Sequence, residues 1–465
     1  MRNDFTEGSI PRVLMRFSVP YLISCFLQTF YGLADLFITG QFYDESVITA
    51  VSNGSQVMHM LTVIIAGLAM GSTIFISRSA GAGKSESVAK GIGNSVSFFL
   101  LAALVFTVLC MSFTGGIITA LSVPEVSAAQ TRAYLMICFA GIPFITAYNV
   151  ISSIFRGLGD TRSPMYFVAA AGVINVVLDY ILIGPCRMGA AGAAAATVTA
   201  QAVSVILAFY ALRKMLTKNT QGSAAGDPQK SAAGAKGAAA VTLTRQELKP
   251  DRRTISGIAS VGVPIAFQDG LVQISFLIIS VIANRRGAEM AAAVGIVEKI
   301  ISFLFLVPSA MLSTISVAAA QNAGAGKNER SRQALRWAIM ICVIYGMAVF
   351  TVCQFTAPQL VAFFSRKSAQ VAVYGGQYLR SYAFDCIFAG IHFCFSGYFC
   401  AYNRSVLSFV HNIAAVILVR VPGAYLASVY FPNDLYPMGL AAPLGSLLSV
   451  AICVIFFRAF RRYWE

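Results

Sequence analysis

Charge is scarce in this sequence: Asp, Glu, Lys and Arg together supply 11% of its 465 residues. That is too little to clothe a soluble domain of this length. With 57% apolar residues and a mean hydropathy of +0.73, the chain falls among membrane proteins. Paired cysteine spacing is also missing. Ten cysteines are scattered mostly through apolar stretches, which excludes a disulfide framework or a zinc motif and reads them as small buried residues. "HFCFSGYFC" sets His392 near Cys394 and Cys400, but a single histidine on an aromatic helix is read as core. The short alternating segments of an outer-membrane barrel are absent, because the apolar runs are continuous. No small-residue cleavage pattern follows "MRNDFTEGSIPRVLMRFS", so the first hydrophobic stretch is expected to be a retained span.

About twelve apolar runs are long enough to cross roughly 30 Å of hydrocarbon. They fall near residues 14–39, 47–77, 91–113, 131–155, 163–184, 189–212, 256–283, 291–321, 334–357, 375–400, 405–430 and 438–460. The chain is therefore expected to be an all-α polytopic membrane protein. The formal charge of +15 invites a nucleic-acid reading, yet with the N-terminus placed inside, most Lys and Arg fall in inner connections. That asymmetry is the positive-inside signal of a multi-pass plasma-membrane protein with both termini cytoplasmic, and no nucleic-acid partner is expected. Residues 217–253, polar and rich in Ala, Gly and Lys, lack bulky apolar groups and are expected to form a flexible cytoplasmic linker. They separate an N-terminal lobe at 1–216 (helices 1–6) from a C-terminal lobe at 254–465 (helices 7–12).

The two halves echo one another. "SAGAGKSES" at 79–87 recurs as "NAGAGKNER" at 322–330, "FSVPYLI" at 17–23 corresponds to "VGVPIAF" at 261–267, and "CRMGAAGAAAA" at 186–196 to "LYPMGLAAPLG" at 435–445. Six spans per half return the chain to the same side, so the repeats are parallel, with a substrate cavity expected between them. The Gly-Lys-Ser ending of the first copy superficially suggests a phosphate loop. However, Arg78 occupies the position of the loop's first glycine, helix is expected on both sides, and no acidic strand end follows to hold magnesium. Both copies are instead read as helix-ending turns whose lysines favour the cytoplasmic face.

Without an ATP site, the energy source is expected to be an ion gradient, which calls for ionisable groups inside the spans. Five acids lie there: Asp35, Asp179, Asp269, Glu298 and Asp385, each expensive in hydrocarbon and so a candidate site. Tyr31 precedes Asp35 by one helical turn, and Asn175 precedes Asp179 in the same way. Two such pairs can build a hydrogen-bonded cage for a proton or small cation. Asp269, Glu298 and Asp385 are candidates for a second-lobe ion or substrate site, with Arg420 as a counter-charge.

At these residues the chain resembles the multidrug and toxic compound extrusion (MATE) family along essentially its whole length. The carrying segments are "DLFITGQF", "ISRSAGAGK", "FRGLGDTRSPM", "INVVLDYILIG" and "MGAAGAAAATVTAQ", with "VGVPIAFQDG" and "AAAQNAGAGK" in the second half. The resemblance implies twelve transmembrane helices in two six-helix lobes forming a V around a central cavity. It also implies antiport that exports organic cations, drugs or amphiphilic metabolites in exchange for inward H⁺ or Na⁺. Carried over by residue, it adds Thr197 to Asp35, Tyr31, Asn175 and Asp179 as the ion-coupling set, with Asp35 and Asp179 as metal ligands if the ion is Na⁺. It marks Pro20 as a point of bending in the first helix. Tyr180 departs from the pattern, since many relatives have proline there, and no glutamate clearly replaces the seventh-helix acid of sodium-coupled members.

No cofactor beyond the coupling ion, a lipid bilayer environment and a monomer are expected. The alternative is a lipid-linked saccharide flippase of the same wider superfamily, which would favour a cationic grip on pyrophosphate. An enzyme is not expected: Asp160 in "GLGD" lies between Arg156 and Arg162 in a turn, without a partner aspartate for proteolysis.

Overall fold

In the computed structural model, which describes residues 3–224, 247, 249–364 and 368–460, the apolar runs form helices, and no strand occurs among the described residues. In chain order these are α1 (Ile10–Phe42), α2 (Glu45–Gly81), α3 (Ser85–Ser112), α4 (Thr114–Ala120), α5 (Glu125–Ala140), α6 (Ile142–Gly157), α7 (Arg162–Ile183) and α8 (Gly189–Ala224). There follow α9 (Arg252–Asn284), α10 (Ala288–Leu304), α11 (Leu306–Gly324), α12 (Asn328–Phe364), α13 (Ala369–Tyr382), α14 (Asp385–Ala401), α15 (Ser405–Ala415), α16 (Val421–Tyr430) and α17 (Tyr436–Ala459). A single π-helical turn, Val416–Arg420, links α15 to α16. Ten helical stretches are long and apolar enough to span a bilayer. Two bent pairs, α5 with α6 at 47° and α13 with α14 at 42°, bring the total among the described residues to twelve if each pair counts as one span.

Packing divides the chain into two compact units, Met1–Asp4 with Val19–Ala266 and Phe5–Ser18 with Phe267–Glu465. The division falls inside α1 and inside α9, not at the polar segment 217–253. Helix α8 continues past residue 216 to Ala224, and residues 225–246 and 248 of the expected linker lie outside the described residues. Within the first unit, Gly71 on α2 and Gly262 on α9 let two backbones touch: a Cβ on Gly71 would collide with the Ile258 carbonyl, and one on Gly262 with that of Leu68. Small residues at a crossing are what close helix packing in a membrane requires.

Both "AGAGK" copies form the same structure. Gly83 (φ +68°) and Gly326 (φ +71°) end α2 and α11 in left-handed geometry. In each turn the lysine amide reaches back over the last helical turn, Lys84 N to Ser79 O at 3.1 Å and Lys327 N to Asn322 O at 2.8 Å. This is a Schellman-type helix stop, and helix resumes immediately in both halves. In the second unit the turn also grips the N-terminal segment. Lys327 Nζ donates to Thr6 O at 2.9 Å, while Arg330 donates to the carbonyls of Phe5, Glu7 and Gly8 at 2.8, 2.6 and 2.8 Å. Asp160 of "GLGD" accepts from the amides of Arg162 and Ser163 at 3.0 and 3.2 Å, which starts α7.

Candidate functional site

Three helices of the first unit bring the sequence-derived residues together. Helix α1 supplies Tyr31 and Asp35 one turn apart, α7 supplies Asn175 and Asp179 with the same spacing, and α8 packs tightly on α7 and adds Thr197. The Thr197 hydroxyl donates to Asp35 Oδ2 at 3.3 Å, and Asn175 Nδ2 donates to Thr197 Oγ1 at 3.4 Å. The carboxyl of Asp179 lies against that of Asp35. All three helices therefore converge on one oxygen-rich point.

Burial there is nearly complete: Asp35 is 4% exposed, Asn175 1% and Asp179 0%. Yet Asp35 Oδ1, Asn175 Oδ1 and both oxygens of Asp179 have no hydrogen-bond donor. Ionised carboxylates are acceptors only, so two that face each other cannot satisfy one another unless a proton or a cation comes between them. No basic side chain supplies that charge: among the described residues neither Asp35 nor Asp179 takes part in an ion pair. No group of three or more His, Cys, Asp or Glu gathers among the described residues. A small cation here would thus rest on two carboxylates and neutral oxygens.

Gln201, one turn beyond Thr197 on α8, extends the cluster: its Nε2 donates to the Tyr31 hydroxyl at 3.4 Å, and its own Oε1 has no donor. The sequence carried a signal for it in the Thr197–Gln201 spacing, which puts both side chains on one helix face. Pro20, the expected bending point, lies within a continuous α1.

The three second-lobe candidates do not form one site. Asp269 on α9 stays apart, with Gln268 and Cys400 as polar neighbours. Glu298 on α10 accepts from the Ser280 hydroxyl at 3.3 Å through either oxygen. Asp385, 3% exposed at the start of α14, keeps Oδ1 without a donor. Arg420 ends the π turn, and its charge acts on both Glu298 and Asp385, although neither carboxylate comes within ion-pairing distance of it. Its Nη2 donates to the Tyr382 hydroxyl at 2.9 Å, and its guanidinium carbon lies 4.2 Å from the centre of the Phe276 ring. His392 is not solitary: its ring packs 5.6 Å from that of His411, which bonds Ser396 at 3.0 Å.

Comparison with known proteins gives this geometry a context. The MatE family model matches residues 20–181 and 264–426, one segment in each repeat. The chain is 24% identical over 451 residues to the probable multidrug resistance protein YoeA of Bacillus subtilis (strain 168), covering 96% of this chain and 93% of that one. It is 26% identical to the FAD transporter of Shewanella oneidensis, with 97% and 95% covered. It is 24% identical to the multidrug export protein MepA of Staphylococcus aureus (strain N315), with 97% and 93% covered. Among solved structures, a transporter of the MOP superfamily from Pyrococcus furiosus superposes with a TM-score of 0.88 at 21% identity, over 99% of this chain and 98% of that one. An outward-facing multidrug resistance MATE transporter superposes with a TM-score of 0.87 at 21% identity over the same shares.

Proposed function

This chain belongs to the MatE family of multidrug efflux transporters, and from that premise we propose that it is a secondary antiporter coupled through Asp35 and Asp179. It exports organic cations, drugs or amphiphilic metabolites in exchange for inward H⁺ or Na⁺, with both termini in the cytoplasm. The observation that carries this reading is the pair of buried carboxyls in contact, with four acceptor oxygens in their cage lacking donors. An arrangement so short of positive charge attracts a proton or small cation.

The coupling follows from desolvation. While Asp35 and Asp179 are ionised and empty, sealing them from water is costly, and conformations that leave the site wet are favoured. A bound ion removes that cost and permits closure. Thr197 and Asn175 hold Asp35 and the α7 face in register, so little rearrangement accompanies ion entry. Pro20 has no amide hydrogen to give to the preceding turn of α1, which makes its neighbourhood the place where that helix bends most cheaply. Such a bend on ion binding would convert a local neutralisation into a change at the cargo-binding surface.

Efflux from proteoliposomes under a sodium gradient alone and a proton gradient alone tests the reading. One of them drives export in the wild type and fails in Asp179→Asn. Export that neither gradient supports, or that survives the substitution at full rate, refutes it. A cationic dye and a flavin dinucleotide serve as parallel cargoes, because one relative is a FAD transporter and anionic cargo is the second reading.

A further inference from the structure

The two units place buried acids in opposite electrostatic settings. In the first, apart from the two carboxyls themselves, the hydrogen-bonding groups around Asp35 are neutral: Thr197, Asn175, Tyr31 and Gln201. With both carboxyls ionised that site carries two uncompensated negative charges. In the second unit Asp269 stands apart, whereas Glu298 and Asp385 both lie in the field of Arg420, and exposed Lys299 adjoins Glu298. Two acids and two bases sum to zero with every group ionised.

Arg420 is built into that position. The π turn Val416–Arg420 interrupts the helix that continues as α16, and such turns re-aim side chains at functional points of helices. The guanidinium is then fixed on two sides, by the Tyr382 hydroxyl at 2.9 Å and by the Phe276 ring face at 4.2 Å. Its Nε has no acceptor, and neither carboxylate comes within ion-pairing distance of it. The charge therefore serves Glu298 and Asp385 jointly and is not consumed by either.

We propose that Arg420 is a resident cation that stands in for a coupling ion at Glu298 and Asp385, so that these two acids, unlike Asp35 and Asp179, take up no ion from solution. The assignment of uptake to the first unit rests on the antiport reading above; the role of Arg420 does not. Without the guanidinium, the Glu298 carboxylate on the Ser280 hydroxyl and Asp385, whose Oδ1 has no donor, would be left without a buried counter-charge, a setting that favours uptake of a monovalent cation or a proton. The repeat would then carry two ion sites instead of one.

The test uses the full-length chain in lipid nanodiscs. Sodium uptake is read as salt-specific protection against melting, with choline chloride as the control, and proton uptake with a pH indicator. Wild-type protein and Arg420→Lys should show one ion-binding event, lost in Asp35→Asn/Asp179→Asn. Arg420→Gln should gain a second event, of sodium or of a proton, and Arg420→Gln/Asp385→Asn should lose that gain. A folded Arg420→Gln protein with no added event overturns the proposal. So does uptake in the wild-type background that survives Asp35→Asn/Asp179→Asn and disappears in Asp385→Asn, an arm that does not depend on Arg420→Gln folding. Failure of the antiport reading looks different: no uptake at Asp35 and Asp179 in the wild type, while the gain in Arg420→Gln is still scored.

Discussion

Asp179→Asn should make the protein more stable while abolishing ion-driven export. Asp179 is 0% exposed, and neither of its oxygens has a donor. The substituted amide is nearly isosteric, removes one of two facing negative charges, and brings an N–H group toward Asp35, whose Oδ1 also lacks a donor. Relieving an unsatisfied buried polar group is worth about 1–3 kcal/mol, and removal of like-charge repulsion adds to it. For a chain of this size the gain corresponds to a rise of a few degrees in melting temperature.

Ion dependence separates this account from ordinary repacking. A ligand that binds the folded state stabilises it by mass action, so sodium or protons should protect the wild type and narrow the gap to Asp179→Asn. The substituted protein should respond to neither. Differential scanning fluorimetry in nanodiscs, across a sodium series and in acidic and alkaline buffer, gives the stability arm, and gradient-driven proteoliposome efflux gives the transport arm. A melting temperature below that of the wild type in ion-poor alkaline buffer, together with retained export, would refute the reasoning.

Thr197→Val keeps the shape of the side chain but removes the hydroxyl that bridges Asp35 and Asn175 at 3.3 and 3.4 Å. At the lower end of the about 1.5–3 kcal/mol for a hydrogen bond to a charged group, apparent ion affinity falls roughly tenfold, with export at saturating ion little changed; an unaltered ion titration contradicts the bridge. Gly326→Ala places a Cβ where nothing lies within 4 Å but where φ is +71°. The cost is therefore purely conformational, about 1–2 kcal/mol, read as lower thermal stability without loss of transport, whereas a specific loss of export would give the "AGAGK" turn a role beyond ending α11. Arg330→Ala removes three bonds to the carbonyls of Phe5, Glu7 and Gly8. Hydrogen exchange over residues 5–8 should accelerate roughly tenfold or more, and unchanged protection would show that the bonds from Gln321, Asn322 and Lys327 and the packing of Phe5 on Phe17 hold the segment without Arg330.

Asp35 and Asp179 could be found in the sequence because a carboxylate inside an apolar run is a local anomaly that needs no fold to be noticed. Tyr31 and Asn175 followed from helical spacing, and the helices themselves from run length, since a bilayer admits few other solutions. What depended on tertiary packing was much less legible. Gln201 ends a small-residue run and looks like part of a helix interface until the Tyr31 hydroxyl is brought to it. Arg420 could be expected from the sequence as a counter-charge to one second-lobe acid, but its action on both Glu298 and Asp385 joins α10, α14 and a π turn that are remote in sequence, and the extra residue in that turn has no periodic signature. Likewise, composition marks the polar segment 217–253, whereas packing partitions the chain within α1 and α9, beside Pro20 and Pro264. A change of packing partner along one apolar helix leaves its hydropathy untouched. The same logic explains why two repeats with matching turns can differ in chemistry: the "AGAGK" stops are fixed by backbone geometry, which recurs wherever the glycine recurs. The charge of each buried site is set by single side chains instead, so the repeat preserved the scaffold while Arg420 changed what the second unit's acids require.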